Sequence, residues 1–142
     1  MGTVAFVALG SNLGDRHAYL AQAREGLGRL PGTAVVGASQ IEETVPLGNR
    51  DQPPYLNQMV AVETSLTPRE LLEACLAIER EAGRARSTRW ASRTLDLDIV
   101  RYGDLTVHEP DLVIPHPGLA DRPFWQRELA ELLPHATVRQ DP

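Results

Sequence analysis

The stretch RTLDLDIVRYG, residues 93–103, alternates apolar and charged side chains in the manner of a β-strand. Side chains along a strand point to opposite faces in turn, so three apolar residues fall on one face and suit a core. They are Leu95, Leu97 and Ile99. The same alternation places Asp96 and Asp98 together on the other face, where like charges repel and β-propensity is poor. This strand therefore needs a cation or another positive group on its acidic face.

The segments on either side predict alternating strands and helices. Extended runs are expected at 3–9, 33–44 and 55–65, and helices at 16–30 and 68–83. With the acidic strand last, the order is β-α-β-β-α-β, which is typical of ferredoxin-like α+β domains with an antiparallel sheet and both helices on one face. After Gly103 we expect a C-terminal extension that ends in a short amphipathic helix within FWQRELAELL. The other face of the sheet is then left for loops or extra elements to build a site.

Both predicted helices carry recognisable end signals. Asp15 suits the N-cap of the first helix. The second helix opens with a capping box formed by Thr67 and Glu70, and Gly83 closes it. Its apolar residues, spaced for one helical stripe, are Leu71, Leu72, Cys75, Ile78 and Ala82. Cys75 is the only cysteine, so no internal disulfide is possible, and we expect a buried structural thiol.

Length and composition are those of an ordinary globular protein. The chain has 142 residues, of which 42% are hydrophobic and 23% charged, and we expect a single domain over 1–142. A net charge of −5 argues against a general nucleic-acid binder. No apolar run approaches the roughly 18 residues of a membrane helix, and the N-terminus lacks the basic start of a signal peptide. A cytoplasmic location is therefore expected.

The two aspartates and the arginines before them suggest phosphate chemistry. On a strand, Asp96 and Asp98 have Cβ atoms roughly 6–7 Å apart, close enough to share a divalent cation such as magnesium. The segment GRARSTRWASR, residues 83–93, carries several arginines, whose guanidinium groups clamp phosphates well. Each feature alone is also typical of an exposed strand edge, an ion pair or a solvated face. Together they favour a metal-phosphate site that does without a Walker A glycine loop.

Further candidate residues lie beside loops and proline breaks. Candidate phosphate donors are His116 and Arg122, and candidate stacking aromatics are Tyr55, Trp90 and Phe124. Asn57 would hydrogen-bond the edge of a flat heterocycle held between such aromatics. Each of these side chains also suits a purely structural role, so the residues alone leave both interpretations open.

Four motifs in chain order carry a resemblance to a known family. They are GSNLGD, TVPLGNRDQPPYLN, RTLDLDI and VIPHP. Together, over about Val4 to Phe124, they resemble the 6-hydroxymethyl-7,8-dihydropterin pyrophosphokinases of folate biosynthesis. The resemblance implies a ferredoxin-like fold. It also implies transfer of pyrophosphate from ATP to the pterin hydroxymethyl group, leaving AMP, with two magnesium ions. A monomer is expected, with ATP and the pterin as its partners and no nucleic acid or membrane.

The resemblance also implies roles for individual residues. The magnesium ligands would be Asp96 and Asp98, and the catalytic arginines Arg84 and Arg93. The further ATP-binding residues would be Arg86, Arg89, His116 and Arg122. The pterin would be bound by Thr44, Leu47, Tyr55, Asn57, Trp90 and Phe124. The chain departs from the family pattern at Ala91-Ser92, where Gly-Pro is common, and after Phe124, where the family's apolar run becomes more polar.

Two other classes of protein share parts of this pattern. A palm-type nucleotidyltransferase or cyclase also sets strand aspartates on two metals, but it would have no pocket for a bicyclic acceptor. A non-catalytic RNA-binding or sensing module would want mid-strand aromatics and a basic surface. The aromatic and asparagine set argues against the first class, and the acidic composition argues against the second.

Overall fold

The computed structural model describes residues 2–45, 53–83 and 95–140, and for 134–140 the course of the helix alone. The strands are β1 (Thr3–Ser11), β2 (Thr33–Ala38), β3 (Glu42–Thr44), β4 (Tyr55–Thr64), β5 (Asp96–Tyr102), β6 (Val107–Glu109) and β7 (Leu112–Ile114). The helices are α1 (Arg16–Gly28), α2 (Pro68–Gly83) and α3 (Pro123–Gln140), with a short 3-10 helix at Pro117–Asp121.

The main sheet is antiparallel throughout its described part. Its strands lie in the order β2-β4-β1-β5, and β3 also pairs with β4. Strand β4 therefore lies between β1 and β2, and β1 lies between β4 and β5. Each β-α-β unit is thus split by a strand of the other unit, as the predicted element order requires. The predicted α+β class is confirmed.

The helix ends form as the sequence predicts. Asp15 accepts a hydrogen bond at its Oδ1 from the backbone N–H of Ala18, at 3.1 Å, and caps α1. At the start of α2, the N–H of Thr67 donates to Glu70 Oε1 at 2.9 Å, and the N–H of Glu70 donates to Thr67 Oγ1 at 3.1 Å. This reciprocal pair is the capping box, which satisfies two backbone donors that the helix itself leaves without partners.

The two faces of the sheet are covered differently. Helices α1 and α2 pack on one face through a core that includes Leu20, Leu27, Leu71 and Cys75, against Val7, Leu9, Val60, Leu97 and Ile99 of the strands. On the other face, Trp125, Leu129 and Leu132 of α3 pack on Phe6, Met59 and Ala61. Helix α3 thus covers the part of that face where β1 begins. The acidic residues of β5 lie at the other end of the same face.

Cys75 is buried in the first core, as expected for a structural thiol. Burial, together with the smaller effect of the negative charges of Glu79 and Asp98, raises the pKa of its thiol to about 12. The thiol is therefore neutral and unreactive in the folded chain.

Two sequence predictions are wrong in detail. The extended run at 33–44 is two strands, because the N–H of Met59 donates to the hydroxyl of Ser39 at 2.9 Å in place of a backbone carbonyl. The predicted short C-terminal helix is longer, since α3 continues past Pro134 to Gln140. The proline removes one backbone donor without ending the helix. None of the helices among the described residues has both the length and the apolar character needed to cross a membrane.

Candidate active site

The acidic face of β5 has the alternation that the sequence predicts. Leu97 and Ile99 are each 5% exposed and face α1 and α2. Asp96 and Asp98 face the opposite way, and the side chain of Asp98 is 46% exposed. Both carboxylates therefore stand on the α3 face of the sheet, beyond the part that α3 covers.

A row of three paired residues crosses the sheet at this point. Gly10 of β1 pairs with Asn57 of β4 on one side and with Asp96 of β5 on the other. Directly paired residues of antiparallel strands point to the same face, so the amide and the carboxylate stand about 10 Å apart, two strand spacings, across the glycine. A Cβ on Gly10 would lie 3.4 Å from Asn57 Oδ1 and 3.7 Å from Tyr55 Cδ1. The missing side chain therefore leaves a shallow floor between these groups.

One wall of this space is built from β3 and β4. Thr44 pairs with Tyr55 in the register of the two strands. The Nδ2 of Asn57 donates to Thr44 Oγ1 at 2.6 Å, and Asn57 is 7% exposed. The hydrogen bond fixes the amide plane, with Oδ1 towards Gly10. Three of the predicted pterin-binding residues are thus brought together.

His116 lies on the other side of the aspartates. Its Nε2 is 3.7 Å from Asp98 Oδ1. Its Nδ1 accepts a hydrogen bond from the N–H of Gly118 at 2.9 Å, so the neutral ring carries its proton on Nε2. Burial lowers the pKa of His116, the positive charge of Arg122 lowers it further, and the carboxylate of Asp98 opposes both. A neutral imidazole therefore presents an N–H beside Asp98 at neutral pH.

Trp125 holds together the residues near His116. Its ring meets that of His116 edge to face, with centroids 4.9 Å apart, and the guanidinium carbon of Arg122 lies 4.7 Å from the Trp125 ring centroid. Phe124 lies next to it, with ring centroids 6.4 Å apart. Trp125 was not among the site residues predicted from the sequence, although its position beside Phe124 at the start of α3 was a usable signal.

A cavity of about 260 Å³ opens between β5, α2 and the β6–β7 hairpin. Asp98 and His116 form its polar side. The remaining lining is mostly aliphatic: Leu72, Leu97, Ile99, Leu112, Val113 and Pro117, with Pro110 and Asp111 of the hairpin. Arg69 of α2 anchors the hairpin by ion pairs with Glu109 and Asp111. The cavity thus continues the aspartate site at the edge of the sheet.

Known proteins resemble this chain over most of its length. A sequence profile of the family "7,8-dihydro-6-hydroxymethylpterin-pyrophosphokinase (HPPK)" matches residues 6–134. A Bacillus subtilis (strain 168) protein is 44% identical over 132 residues, which cover 93% of this chain and 79% of that protein. A Methylorubrum extorquens protein is 43% identical over 136 residues, covering 96% of this chain and 86% of its own. Both are named 2-amino-4-hydroxy-6-hydroxymethyldihydropteridine pyrophosphokinase.

The chain belongs to the dihydrohydroxymethylpterin pyrophosphokinase family. A protein of the same name from Pseudomonas aeruginosa is 43% identical over 129 residues, which cover 91% of this chain and 80% of that protein. Membership in this pyrophosphokinase family confirms the predicted family and enzyme class. Because the match runs through nearly the whole chain, it displaces the palm-type and non-catalytic alternatives.

The pyrophosphokinase residues predicted from the sequence fall into two groups. Eight are described: Thr44, Tyr55, Asn57, Asp96, Asp98, His116, Arg122 and Phe124. The first three lie together on β3 and β4, His116 lies beside Asp98, and Trp125 contacts His116, Arg122 and Phe124. Six lie outside the described residues: Leu47, Arg84, Arg86, Arg89, Trp90 and Arg93. The roles of all fourteen stay predictions. The aliphatic cavity lining was not predicted, because its side chains meet only after the hairpin folds against β5.

Proposed function

We propose that this chain transfers the pyrophosphoryl group of ATP to the hydroxymethyl group of 6-hydroxymethyl-7,8-dihydropterin, giving AMP and the pterin diphosphate. One observation carries the proposal at residue level. Asp96, Asp98 and Asn57 all face the open space above Gly10, on one side of the sheet. A phosphate-holding site and a site for a flat acceptor are therefore adjacent, as a direct transfer between two bound substrates needs.

The donor set at Asp96 and Asp98 suits magnesium. Mg²⁺ usually takes one or two protein carboxylates and completes its octahedron with water and substrate phosphates. Within the described residues no group of three or more His, Cys, Asp or Glu side chains could enclose a metal. Two partly exposed carboxylates on one strand fit a metal that arrives with a nucleotide. Bound there, magnesium would neutralise phosphate charge and orient the triphosphate; the expected number of two ions stays a prediction.

The wall beside Gly10 would receive the pterin. Asn57 Oδ1 faces the open floor while its Nδ2 is committed to Thr44, so one fixed acceptor is presented to the donors on the edge of a pterin. Tyr55 on β4 and Phe124 at the start of α3 would stack on the two ring faces. Leu47 and Trp90 are assigned to this pocket by the resemblance alone.

ATP would bind on the side of the aspartates where His116 lies. The Nε2–H of His116 beside Asp98, together with Arg122, would donate to phosphate oxygens. The adjoining aliphatic cavity of about 260 Å³ would hold the adenosine part of the nucleotide. Arg86 and Arg89 are assigned further ATP contacts by the resemblance.

In the proposed reaction the pterin hydroxyl oxygen attacks the β-phosphorus of ATP in line. The new O–P bond forms as the bond between the β-phosphorus and the bridging oxygen to the α-phosphate breaks, AMP leaves, and the hydroxyl proton passes to water. A loose transition state of this kind asks for positioning and charge neutralisation more than for a strong base. The resemblance assigns that neutralisation to Arg84 and Arg93, and closure over the bound substrates would keep water from the reacting phosphate.

Calorimetry with product analysis tests the proposal. We expect the protein to bind Mg²⁺ with a non-hydrolysable ATP analogue, to bind 6-hydroxymethylpterin in its presence, and to form equal amounts of AMP and pterin diphosphate from the true substrates. Absence of pterin binding in the presence of the ATP analogue would overturn the assignment. Gel filtration and cell fractionation would test the predicted monomer and cytoplasmic location.

A further inference from the structure

Gly118 is a glycine that its own backbone conformation does not require. It lies in the 3-10 helix at Pro117–Asp121, and its φ is outside the left-handed region that favours glycine. A Cβ built on Gly118 would lie 2.9 Å from the guanidinium carbon of Arg122 and closer still to its Nη1. The guanidinium of Arg122 therefore occupies the space that a side chain at position 118 would fill.

The ring of Trp125 also borders this space. The guanidinium carbon of Arg122 lies 4.7 Å from the ring centroid, a favourable cation–π distance. The indole is 4% exposed and packs in the core between α3 and the sheet, so it presents a fixed surface. The same ring meets His116 edge to face. We call the space bounded by Gly118 and Trp125 the guanidinium seat.

The backbone that carries Arg122 is held by the two helices that it joins. The N–H of Arg122 donates to the carbonyl of Leu119 at 3.4 Å, and its carbonyl accepts from the N–H of Trp125 at 3.0 Å. The Nε2 of Gln126 donates to the carbonyls of Leu119 and Ala120 at 3.0 and 3.2 Å. These bonds do not involve the guanidinium, so the turn keeps its shape if the side chain of Arg122 moves.

The charge of Arg122 is left for a ligand. Among the residues that the structure describes, none of the ion pairs involves Arg122. A long arginine side chain loses rotamer freedom when it binds, and this cost is smaller if the side chain is already held in place. The guanidinium seat therefore keeps a cationic donor close to the imidazole of His116 before any phosphate binds.

We propose that Gly118 and Trp125 are positioning residues, which hold the Arg122 guanidinium near His116 in readiness for the phosphates of the nucleotide. The inference rests on the proposed function, because the resemblance assigns Arg122 and His116 to ATP. Gly118 contributes by having no side chain, and Trp125 contributes the face of its ring. Both act through Arg122.

Three substitutions in the guanidinium seat test this role. Gly118→Ala fills the seat, and the atoms that it displaces are the far end of a flexible side chain, so the fold is retained. Trp125→Leu removes the ring but keeps apolar bulk, whereas Trp125→Phe keeps an aromatic face. The matched control is Gly28→Ala at the end of α1, where a Cβ would lie 3.9 Å from Val35 Cγ2, an ordinary contact.

Calorimetry with a non-hydrolysable ATP analogue and saturating Mg²⁺ measures the nucleotide Kd. We expect Gly118→Ala and Trp125→Leu to raise this Kd about fivefold, because an arginine side chain that is free must be ordered on binding. Trp125→Phe and Gly28→Ala should stay within about twofold of wild type. An unchanged Kd in Gly118→Ala overturns the inference, and this variant decides the matter if Trp125→Leu fails to fold.

Combination with Arg122→Ala identifies the side chain through which the seat acts. Arg122→Ala alone should raise the Kd about tenfold or more, by loss of a hydrogen bond to a charged group. In that background Gly118→Ala should change the Kd less than about twofold, because no guanidinium is left to displace. A Cβ at 118 would also lie 3.2 Å from His116 Nδ1. An undiminished effect of Gly118→Ala in the Arg122→Ala background would show that it acts on His116, which contradicts the inference. Absence of analogue binding by wild type refutes the proposed function instead.

Discussion

The Nε2 of His116 lies 3.7 Å from Oδ1 of Asp98, while the Nδ1 of the same ring is held by the backbone N–H of Gly118 at 2.9 Å. The second contact decides which nitrogen carries the proton in the neutral ring, and the first decides where that proton points. The imidazole N–H is therefore fixed beside a carboxylate proposed to hold magnesium. A phosphate oxygen arriving with the metal would find a donor already oriented, without a side chain having to be ordered on binding.

Replacement of His116 is expected to weaken nucleotide binding. A hydrogen bond to a charged group contributes about 1.5–3 kcal/mol, so His116→Ala should raise the KM for ATP roughly 10- to 150-fold with a smaller effect on the pterin KM. His108→Ala, an exposed histidine on β6, is the control and should leave both values unchanged. Steady-state kinetics with each substrate varied in turn measures the effect. An unchanged KM for ATP would remove His116 from the proposed site.

Loss of either strand aspartate is expected to abolish turnover while the fold is retained. Asp98→Asn keeps the size of the side chain but removes the charge that a divalent cation needs, so we expect a fall in kcat of about 1000-fold or more. Asp104→Asn, an exposed aspartate in the turn after β5, should behave as wild type. Turnover is followed as AMP release, with circular dichroism as the test of folding. Residual activity above a few per cent of wild type, about 2 kcal/mol in barrier, would reject the metal role.

Substitutions at two neighbouring residues of β4, Asn57 and Gln58, distinguish an effect on pterin binding from an effect on stability. Asn57 faces the site, whereas Gln58 faces the opposite side, where it accepts from Arg24 at 2.7 Å and donates to the carbonyl of Ser39 at 2.8 Å. Either residue changed to alanine should cost about 1–3 kcal/mol in the free energy of unfolding, because each leaves buried partners unpaired. Only Asn57→Ala should also raise the pterin KM, by roughly tenfold or more. Urea denaturation measures the stability, and steady-state kinetics measures the pterin KM. An equal rise of the pterin KM in both variants would argue against pterin binding by Asn57.

The buried acid on α3 predicts an unusual dependence of stability on pH. Glu128 keeps its proton up to about pH 9 in the folded chain, whereas the unfolded carboxyl loses it near its ordinary value of 4.5. Between these values the folded state binds more protons than the unfolded state, so the free energy of unfolding falls as pH rises, by up to about 1.4 kcal/mol per pH unit. Glu128→Gln should lack this fall. Denaturation curves of the two proteins across the window measure the difference, and parallel pH dependences would show that Glu128 is ionised in the folded chain.

The reactivity of the single thiol, Cys75, measures how often the core between α2 and the sheet opens. Burial raises the pKa of Cys75 to about 12, so the reactive thiolate is scarce in the folded protein at pH 8. We expect labelling by a thiol reagent to be at least about 100-fold slower than in urea-unfolded protein, and to follow the opening of the core between α2 and the sheet. Cys75→Ser should give no labelling at all, since it removes the only cysteine. Rapid labelling of the native protein would contradict the burial of this side chain.

Local patterns predicted a large part of the molecule. The alternation along 95–99, the caps at Asp15 and Thr67 and the apolar stripe of α2 all rest on contacts within a few residues, and each is confirmed. The break between β2 and β3 was missed because it depends on a hydrogen bond from Met59 to the Ser39 hydroxyl, twenty residues away. The length of α3 was missed because a proline usually ends a helix, whereas α3 continues past Pro134 to Gln140.

The amino-acid sequence alone determined the acidic face of β5, the order of strands and helices and the family, since these depend on residue type and spacing along the chain. Tertiary structure alone decided which groups meet: the amide of Asn57 and the carboxylate of Asp96 across Gly10, the ring of His116 beside Asp98, and the carboxyl of Glu128 buried where α3 packs on the sheet. The reason is physical. The spacing of residues along the chain determines the face of the strand or helix on which a side chain lies. The neighbours of that side chain come from other strands and helices, which meet only when the chain folds, and these neighbours determine its protonation state.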